Sequence, residues 1–316
     1  MGAEVLSSRA VQGKFYETLA VNEGRSWVEP VSMYIPSDQE SETYKWLGMS
    51  PAMREWIAGR NPKGLRNNGI TIENKHFEAT LRIREEDFRR DKTGQILIRA
   101  AELADRTQEH WASLISTLIL NGAATVCYDG DYFFGDAHAE GDSGTQDNNI
   151  SIDISAMATG VHGSITLPSV GEMAICILSG ISQILGYKDD QGEPFNDLAQ
   201  TFTVMAAPSL MAPLLGACSN QFLAAGESNP LIAGNFKVTP VVNSRLTTMA
   251  SQICVFRTDG RAKPFIRQEE KAVELIMLAE GSEHAKINGE YLFGVDTWRN
   301  AGYGLWQHAC LVTLAN

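Results

Sequence analysis

The sequence predicts an α+β fold organised around one overlong helix, and three observations lead there. Ile96, Ala100, Leu103, Thr107, Trp111, Leu114 and Leu118 follow steps of three and four residues, the period of an amphipathic helix with one buried stripe. Ile70, Ile72, Phe77, Leu81 and Ile83 are spaced as in half-buried strands within "ITIENKHFEATLRIREEDF". From Pro168 onward helical and strand-like runs alternate, as in a lobe that packs helices against a sheet.

The elements follow in order. Up to about residue 26, Val5, Gln12, Phe15 and Leu19 recur at helical spacing, but the stretch is too polar for its own core and reads as an arm. "WVEPVSMYIPSD" is extended, because Pro30 and Pro36 exclude a long helix. Residues 37–69 are charged, punctuated by Gly and Pro, and carry Tyr44, Trp46 and Trp56 in exposed-looking settings. Strands then flank an "ENK" turn. Thr93-Gly94 breaks the chain before the long helix and Asn121-Gly122 closes it as a C-cap pair. A helix of about 25 residues spans about 38 Å, long for a compact domain. A Ser169…Glu172 capping box opens a second helix running to about Leu185. A turn in "YKDDQGEPF", a strand in "TFTVMAAP", a helix in "SLMAPLLGACSNQFLAAG" interrupted by Pro213, and strands in "FKVTPVVN" and "SQICVFRT" complete the lobe. The aromatic C-terminal part is strand-rich.

Length and composition bound the reading. The 316 residues suggest two domains or one with a large excursion, and 44% hydrophobic content is enough for a real core. The longest apolar run, Met173 to Tyr187, is too short and too interrupted to span a membrane. "MGAEVLSSRAVQGKF" lacks the apolar core of a signal peptide, and Leu6 stands where myristoylation wants Ser or Thr. Cys127, Cys176, Cys218, Cys254 and Cys310 are dispersed in apolar settings, which reads as reduced, buried thiols and no metal-ligand spacing. The net charge of −12 is uneven: from Asn121 to Asn235 thirteen acids face only Lys188, while Pro36 to Asp91 holds ten basic and ten acidic residues. No basic stripe of the kind that grips phosphate backbones is present.

The acidic stretch "YDGDYFFGDAHAEGDSGTQDNN" is the strongest candidate for chemistry. An EF-hand begins with Asp129 and Asp131, but Phe133 and Phe134 then occupy a ligand and the required glycine. A cation on Asp129, Asp131 and Asp136 is the open metal reading; acids turned to water are the plainer one. "GDSG" resembles a protease nucleophile loop without any segment suited to supply its base. His138-Ala139-Glu140 lacks the P-C-x-x-C of zinc deaminases, and phosphate-loop, dinucleotide and nucleophile-elbow motifs are missing. No enzyme signature survives, and no cofactor is expected. The balanced segment points elsewhere. Equal numbers of opposite charges with unburied aromatics suit docking onto copies of the same chain. Tyr44, Trp46, Trp56, Arg60, Arg66, Lys75, Arg82, Arg84, Glu85 and Arg89 are the expected contact residues, with an ordinary solvated hairpin as the alternative.

"YKWLG" at 44–48, "WIAGR" at 56–60, "ITIENKHFEATLRIREEDFRRDKTG", "YDGDYFF" with His138 following, "SNPLIAG" at 228–234 and "GYGLWQHA" at 302–309 occur in an order that resembles the major head subunits of Mu-like tailed phages. That family is a branch of the Hong Kong 97-type capsid fold. The resemblance implies an N-terminal arm over residues 1–33 that reaches over a neighbour, and an extended β-hairpin loop over 34–84. It implies a peripheral domain from 85–150 and 265–316 with a spine helix at about 95–120, and an axial α/β domain over 151–264. It further implies a major capsid protein that forms the pentamers and hexamers of an icosahedral head around double-stranded DNA. The partners it implies are other copies, a portal protein, a scaffold protein, and a decoration or minor capsid protein, with no membrane. The location would be the virion, after the host cytoplasm. An acidic lining that does not grip phosphates would let the DNA slide. No crosslink of Lys63 or Lys75 with Asn288 or Asn300 is expected, since no local acid recommends one. The alternatives are an encapsulin-like nanocompartment shell and a metal-dependent hydrolase using Asp129, Asp131, Asp136 and His138.

Overall fold

A computed structural model describes residues 7–22, 26–45, 69–91, 93–224 and 226–316. In chain order the elements are α1 (Ser8–Asn22), α2 (Val28–Val31), β1 (Ser32–Pro36), β2 (Ser41–Tyr44), β3 (Ile70–Glu73), β4 (Lys75–Arg84), α3 (Glu85–Arg90) and α4 (Gln95–Asn121). There follow β5 (Asn149–Asp153), α5 (Val170–Leu185), β6 (Thr201–Ala206), α6 (Met211–Ser219), α7 (Pro230–Ala233), β7 (Lys237–Val242), β8 (Gln252–Arg257), β9 (Phe265–Leu278), α8 (Glu283–Asn288), β10 (Glu290–Tyr303) and β11 (Ala309–Ala315). They make a four-stranded sheet in the order β1-β9-β10-β4, a five-stranded sheet in the order β5-β11-β8-β6-β7, and the hairpin β2-β3.

The helix α4 is 27 residues long and joins two hydrophobic cores. Ile96, Ala100 and Ala104 belong to a smaller core with Val11 and Phe15 of α1, Phe88 of α3, and Tyr291 and Phe293 of β10. Trp111, Ile115 and Ile119 belong to the larger core under the five-stranded sheet. Leu103, Leu114 and Leu118, expected in the buried stripe, lie partly buried on its flank, one position before Ala104, Ile115 and Ile119. The helix starts at Gly94, whose φ of 74° is the left-handed region open to glycine. Asp91 closes this start: its carboxylate accepts from the backbone N–H of Thr93, Gly94, Gln95 and Ile96. Its far end departs from expectation. Gly122 is right-handed (φ −61°), so it is no left-handed cap. Glycine is required there for space, because a Cβ would lie 2.5 Å from the Phe134 ring.

Three further expectations are corrected. "ENK" is a joint between sheets and not a hairpin turn: β3 pairs back onto β2, while β4 pairs with β10 over its full length. Buried Asn74 fixes the joint, its N–H donating to Glu40 O and its side chain to Gln39 O. Pro213 does not interrupt a helix, since α6 begins at Met211 and Pro213 stands in its first turn, where N–H groups lack helical partners anyway. Grouping 265–316 as one unit fails at its last strand: β11 lies between β5 and β8 in the five-stranded sheet. The sequence ACLVTLA, apolar on both faces, suits that central place. Pro240 in β7 is tolerated because β7 is an edge strand. The capping box forms as read, Ser169 Oγ accepting from Glu172 N and Glu172 Oε2 from Ser169 N.

Candidate functional site

The connection from α4 to β5 carries the acidic stretch, and the structure divides its acids sharply. Asp136 is exposed. Asp131 uses one oxygen for its neighbour Tyr132 N (2.8 Å) and the other for Ala137 N (3.0 Å), so it shapes a turn. Asp129 points inward. Its Oδ2 lies 2.6 Å from His138 Nδ1, and its Oδ1 accepts from the Cys127 thiol at 2.9 Å. A carboxylate only accepts, so the His138 proton is on Nδ1. His138 is fully buried and stacked on Trp306, with ring centroids 3.9 Å apart and planes 11° from parallel. Burial pushes the Asp129 carboxyl up, but donation from His138, Cys127 and Asp131 N outweighs it and holds the group below its ordinary value. The expected trio Asp129, Asp131 and Asp136 is therefore not brought together; Cys127, Asp129 and His138 are. Nothing in the stretch singled out Cys127, whose link to Asp129 appears only when the chain turns back at Gly130.

This arrangement does not activate a nucleophile. Cys127 faces a carboxylate and not the imidazole, and burial and the Asp129 charge push its thiol up, away from thiolate. Ser143 of "GDSG" is buried, its Oγ accepting from Glu140 N and donating to Gly144 O, so it ties a turn. Of the four residues of the hydrolase reading only Asp129 and His138 meet; Asp131 ties a turn and Asp136 is exposed.

The expected contact residues fall into three groups. Trp46, Trp56, Arg60 and Arg66 lie outside the described residues. Tyr44 is a correction: it is buried in its own chain and donates to Gln268 Oε1 at 2.6 Å, with burial pushing its hydroxyl up to about 12. Its alternation with exposed Thr43 in β2 turns it inward, where it meets Gln268 of β9. The remaining five are on the four-stranded sheet or its turn into α3. Arg82 and Arg84 lie exposed on β4, Arg82 3.8 Å from Glu290. With half-buried Glu85 and exposed Arg89, Arg84 lines a shallow concavity opposite Asn288 and Glu290. Lys75 is at the other end of β4, about 30 Å away at strand rise. On the open face between them His76 stacks on Trp298 and pairs with Asp296, which also holds Lys271 at 2.9 Å.

One buried charge escaped the sequence reading. Arg299 is 2% exposed, at the junction of the two cores. Its Nη2 donates to Thr107 O (2.7 Å), its Nε to His110 Nδ1 (3.1 Å), and it stacks on Trp111 at 4.7 Å. Burial lowers it to about 10, and burial with the Arg299 charge lowers His110 to about 4. The signal was available: Arg299 is in phase with Tyr291, Phe293, Val295 and Thr297 on the buried face of β10.

Known proteins place this architecture. A sequence profile of the Mu-like prophage major head subunit gpT matches residues 6–161 and 227–314. The chain is similar to the major capsid protein of Escherichia phage Mu, 24% identical over 283 residues, which is 89% of this chain and 65% of that protein. It is also similar to the Mu-like prophage FluMu major head subunit of Haemophilus influenzae, 32% identical over 133 residues, 42% of this chain and 43% of that protein. The chain thus spans less than two thirds of the length of both relatives. Among solved structures, the procapsid subunit of bacteriophage JBD30 is similar with TM-score 0.56 and 22% identity, over 98% of this chain and 74% of that one. The mature capsid of bacteriophage PhiM1 is similar with TM-score 0.54 and 11% identity, over 92% and 87%. These likenesses establish the Hong Kong 97-type capsid fold, and with the profile covering most of its length, the chain belongs to the Mu-like prophage major head subunit family.

Proposed function

We propose that this chain is a structural shell subunit, a major capsid protein whose copies close as pentamers and hexamers into an icosahedral phage head around double-stranded DNA. The observation that carries the reading is the profile match over 6–161 and 227–314 on a chain with a phage-capsid fold. In this reading residues 1–33 are the arm, 34–84 the extended loop, 85–150 with 265–316 the peripheral part and 151–264 the axial part, with β11 transferred to the axial sheet. Its partners are other copies, a portal, a scaffold and a decoration or minor capsid protein, and its place is the virion after assembly in the host cytoplasm. Exposed Lys75, Arg82, Arg84 and Arg89 with Glu85, and Trp46, Trp56, Arg60 and Arg66 on the loop, meet neighbouring copies. Individual exposed ion pairs contribute only about 0–1 kcal/mol, so such contacts set register while strength comes from their number.

Negative-stain electron microscopy of the purified chain, with and without a co-expressed scaffold, tests this. Closed shells, rings or tubes are expected. A monodisperse monomer under both conditions overturns it.

A further inference from the structure

We propose that Cys127, Asp129 and His138 form a site for one zinc-class divalent cation, which fastens the α4–β5 connection to the core.

The observation behind it is the choice of donors. Sγ of Cys127, a carboxylate oxygen of Asp129 and a ring nitrogen of His138 all lie within 4.8 Å of one another. Sulfur, imidazole nitrogen and carboxylate oxygen are the three ligand types of protein-bound zinc, whereas a calcium or magnesium site is built of oxygens. A hydrogen-bonded turn alone does not call for this set, because a thiol is a weak donor and a serine hydroxyl would serve Asp129 better. The surroundings also suit a structural ion. His138 is fully buried against the Trp306 face, and among the described residues its ring is held by a hydrogen bond only at Nδ1, the nitrogen that faces Asp129.

The geometry accepts the ion with a small adjustment. Zinc bonds of about 2.0–2.3 Å in a tetrahedron place ligand atoms about 3.3–3.6 Å apart. The 2.6 Å contact is from Asp129 Oδ2 to His138 Nδ1 and the 2.9 Å contact is from Oδ1 to Cys127 Sγ; whichever oxygen takes the ion, its contact opens by about 0.7 Å. All three residues lie in the irregular connection between α4 and β5, where no helix or strand has to give way. Binding is balanced as follows. The cation takes the sulfur, one Asp129 oxygen and His138 Nδ1; the Nδ1 proton moves to Nε2, and the thiol proton leaves to solvent, one per ion. Three protein ligands leave the fourth position of the tetrahedron to water.

Cobalt(II), added to the chelator-treated full chain, reports the site through its sulfur charge-transfer band. One equivalent with that band is expected, together with a rise in thermal midpoint when zinc replaces chelator. Cys127→Ser removes the band, and Asp136→Asn leaves it unchanged. No band and no zinc-dependent shift in the unsubstituted chain overturns the proposal, as does a band that survives Cys127→Ser. Because the unsubstituted chain alone decides, a variant that fails to fold does not protect the idea. Shells that assemble without any cobalt band would remove this site and leave the capsid reading intact.

Discussion

The two sheets use their faces differently. In the five-stranded sheet, Phe202 to Ala206, Ile253 to Phe256 and Ala309 to Val312 are buried consecutively, so both faces are covered. In the four-stranded sheet, β4 and the distal half of β9 bury only alternate residues at most. Its inner face packs on α4, and its outer face presents His76, Glu78, Arg82, Arg84 and Trp298. The first sheet completes itself within one chain. The second is complete on one side only, and its open side is charged enough to discourage indiscriminate edge and face association. The contrast separates a core closed within the chain under the five-stranded sheet from an exposed, charged face on the four-stranded one.

The largest effect tests where stability resides. Trp306 is fully buried between His138 and Tyr187. Trp306→Ala is expected to destabilise the whole chain by about 4 kcal/mol, read as a lowered denaturant midpoint with an unchanged slope. A loss below about 1 kcal/mol would mean that the larger core does not hold the fold together. The next test asks whether the smaller core opens alone. Phe15 is equally buried, but its helix rests mainly on α4. Phe15→Ala is expected to weaken that contact by about 3 kcal/mol, roughly 100-fold, as faster amide exchange confined to α1. Equal acceleration in β6, β8 and β11 would show one cooperative unit and break the comparison.

How far the sequence reached follows the same division. The long helix, the capping box at Ser169 and the strands β6, β7 and β8 were legible because local period and local hydrogen bonding decide them. Two other features were not, and a third was so only in part. Asn74 becomes a joint and β11 joins the far sheet through pairings that one-dimensional spacing does not carry; the burial of Arg299 could be read from its phase on β10, but its partners Thr107 and His110 could not. Tyr44 was misread for a related reason: a tyrosine in a charged stretch looks exposed until β9 supplies Gln268. At the acidic stretch the plain reading of acids turned to water was right for Asp136, but Asp131 ties a turn with both oxygens and Asp129 and Glu140 turn inward, which only folding reveals.

A smaller effect probes the end of α4 within the larger core. Gly122→Ala places a methyl 2.5 Å from the Phe134 ring, and Phe134 is itself buried. Overpacking of this kind costs about 2 kcal/mol. If Gly122 were a left-handed cap, Asn would rescue the site; the right-handed φ predicts that Gly122→Asn is at least as damaging as alanine. An asparagine variant with the stability of the unsubstituted chain would restore the cap reading.

The smallest effect is at the other end of the same helix, in the region that faces outward. Asp91 accepts from Ile96 N, the strongest influence on it, and from Thr93 and Gln95, and these bonds hold its carboxyl below the ordinary value. The folded state therefore prefers the ionised form. Its contribution is fully present above the ordinary carboxylate pKa of about 4 and is lost as pH falls through the lower folded value. Asp91→Ala is expected to cost about 1 kcal/mol at neutral pH, as for other helix caps. Subtracting the stability of Asp91→Ala from that of the unsubstituted chain removes the titrations both share, so the difference should be flat above about pH 5 and shrink below it. A difference that persists undiminished at pH 2 would mean that the carboxyl caps α4 equally well when protonated. The anchoring of the outward-facing region would then depend on hydrogen-bond geometry, with no contribution from charge.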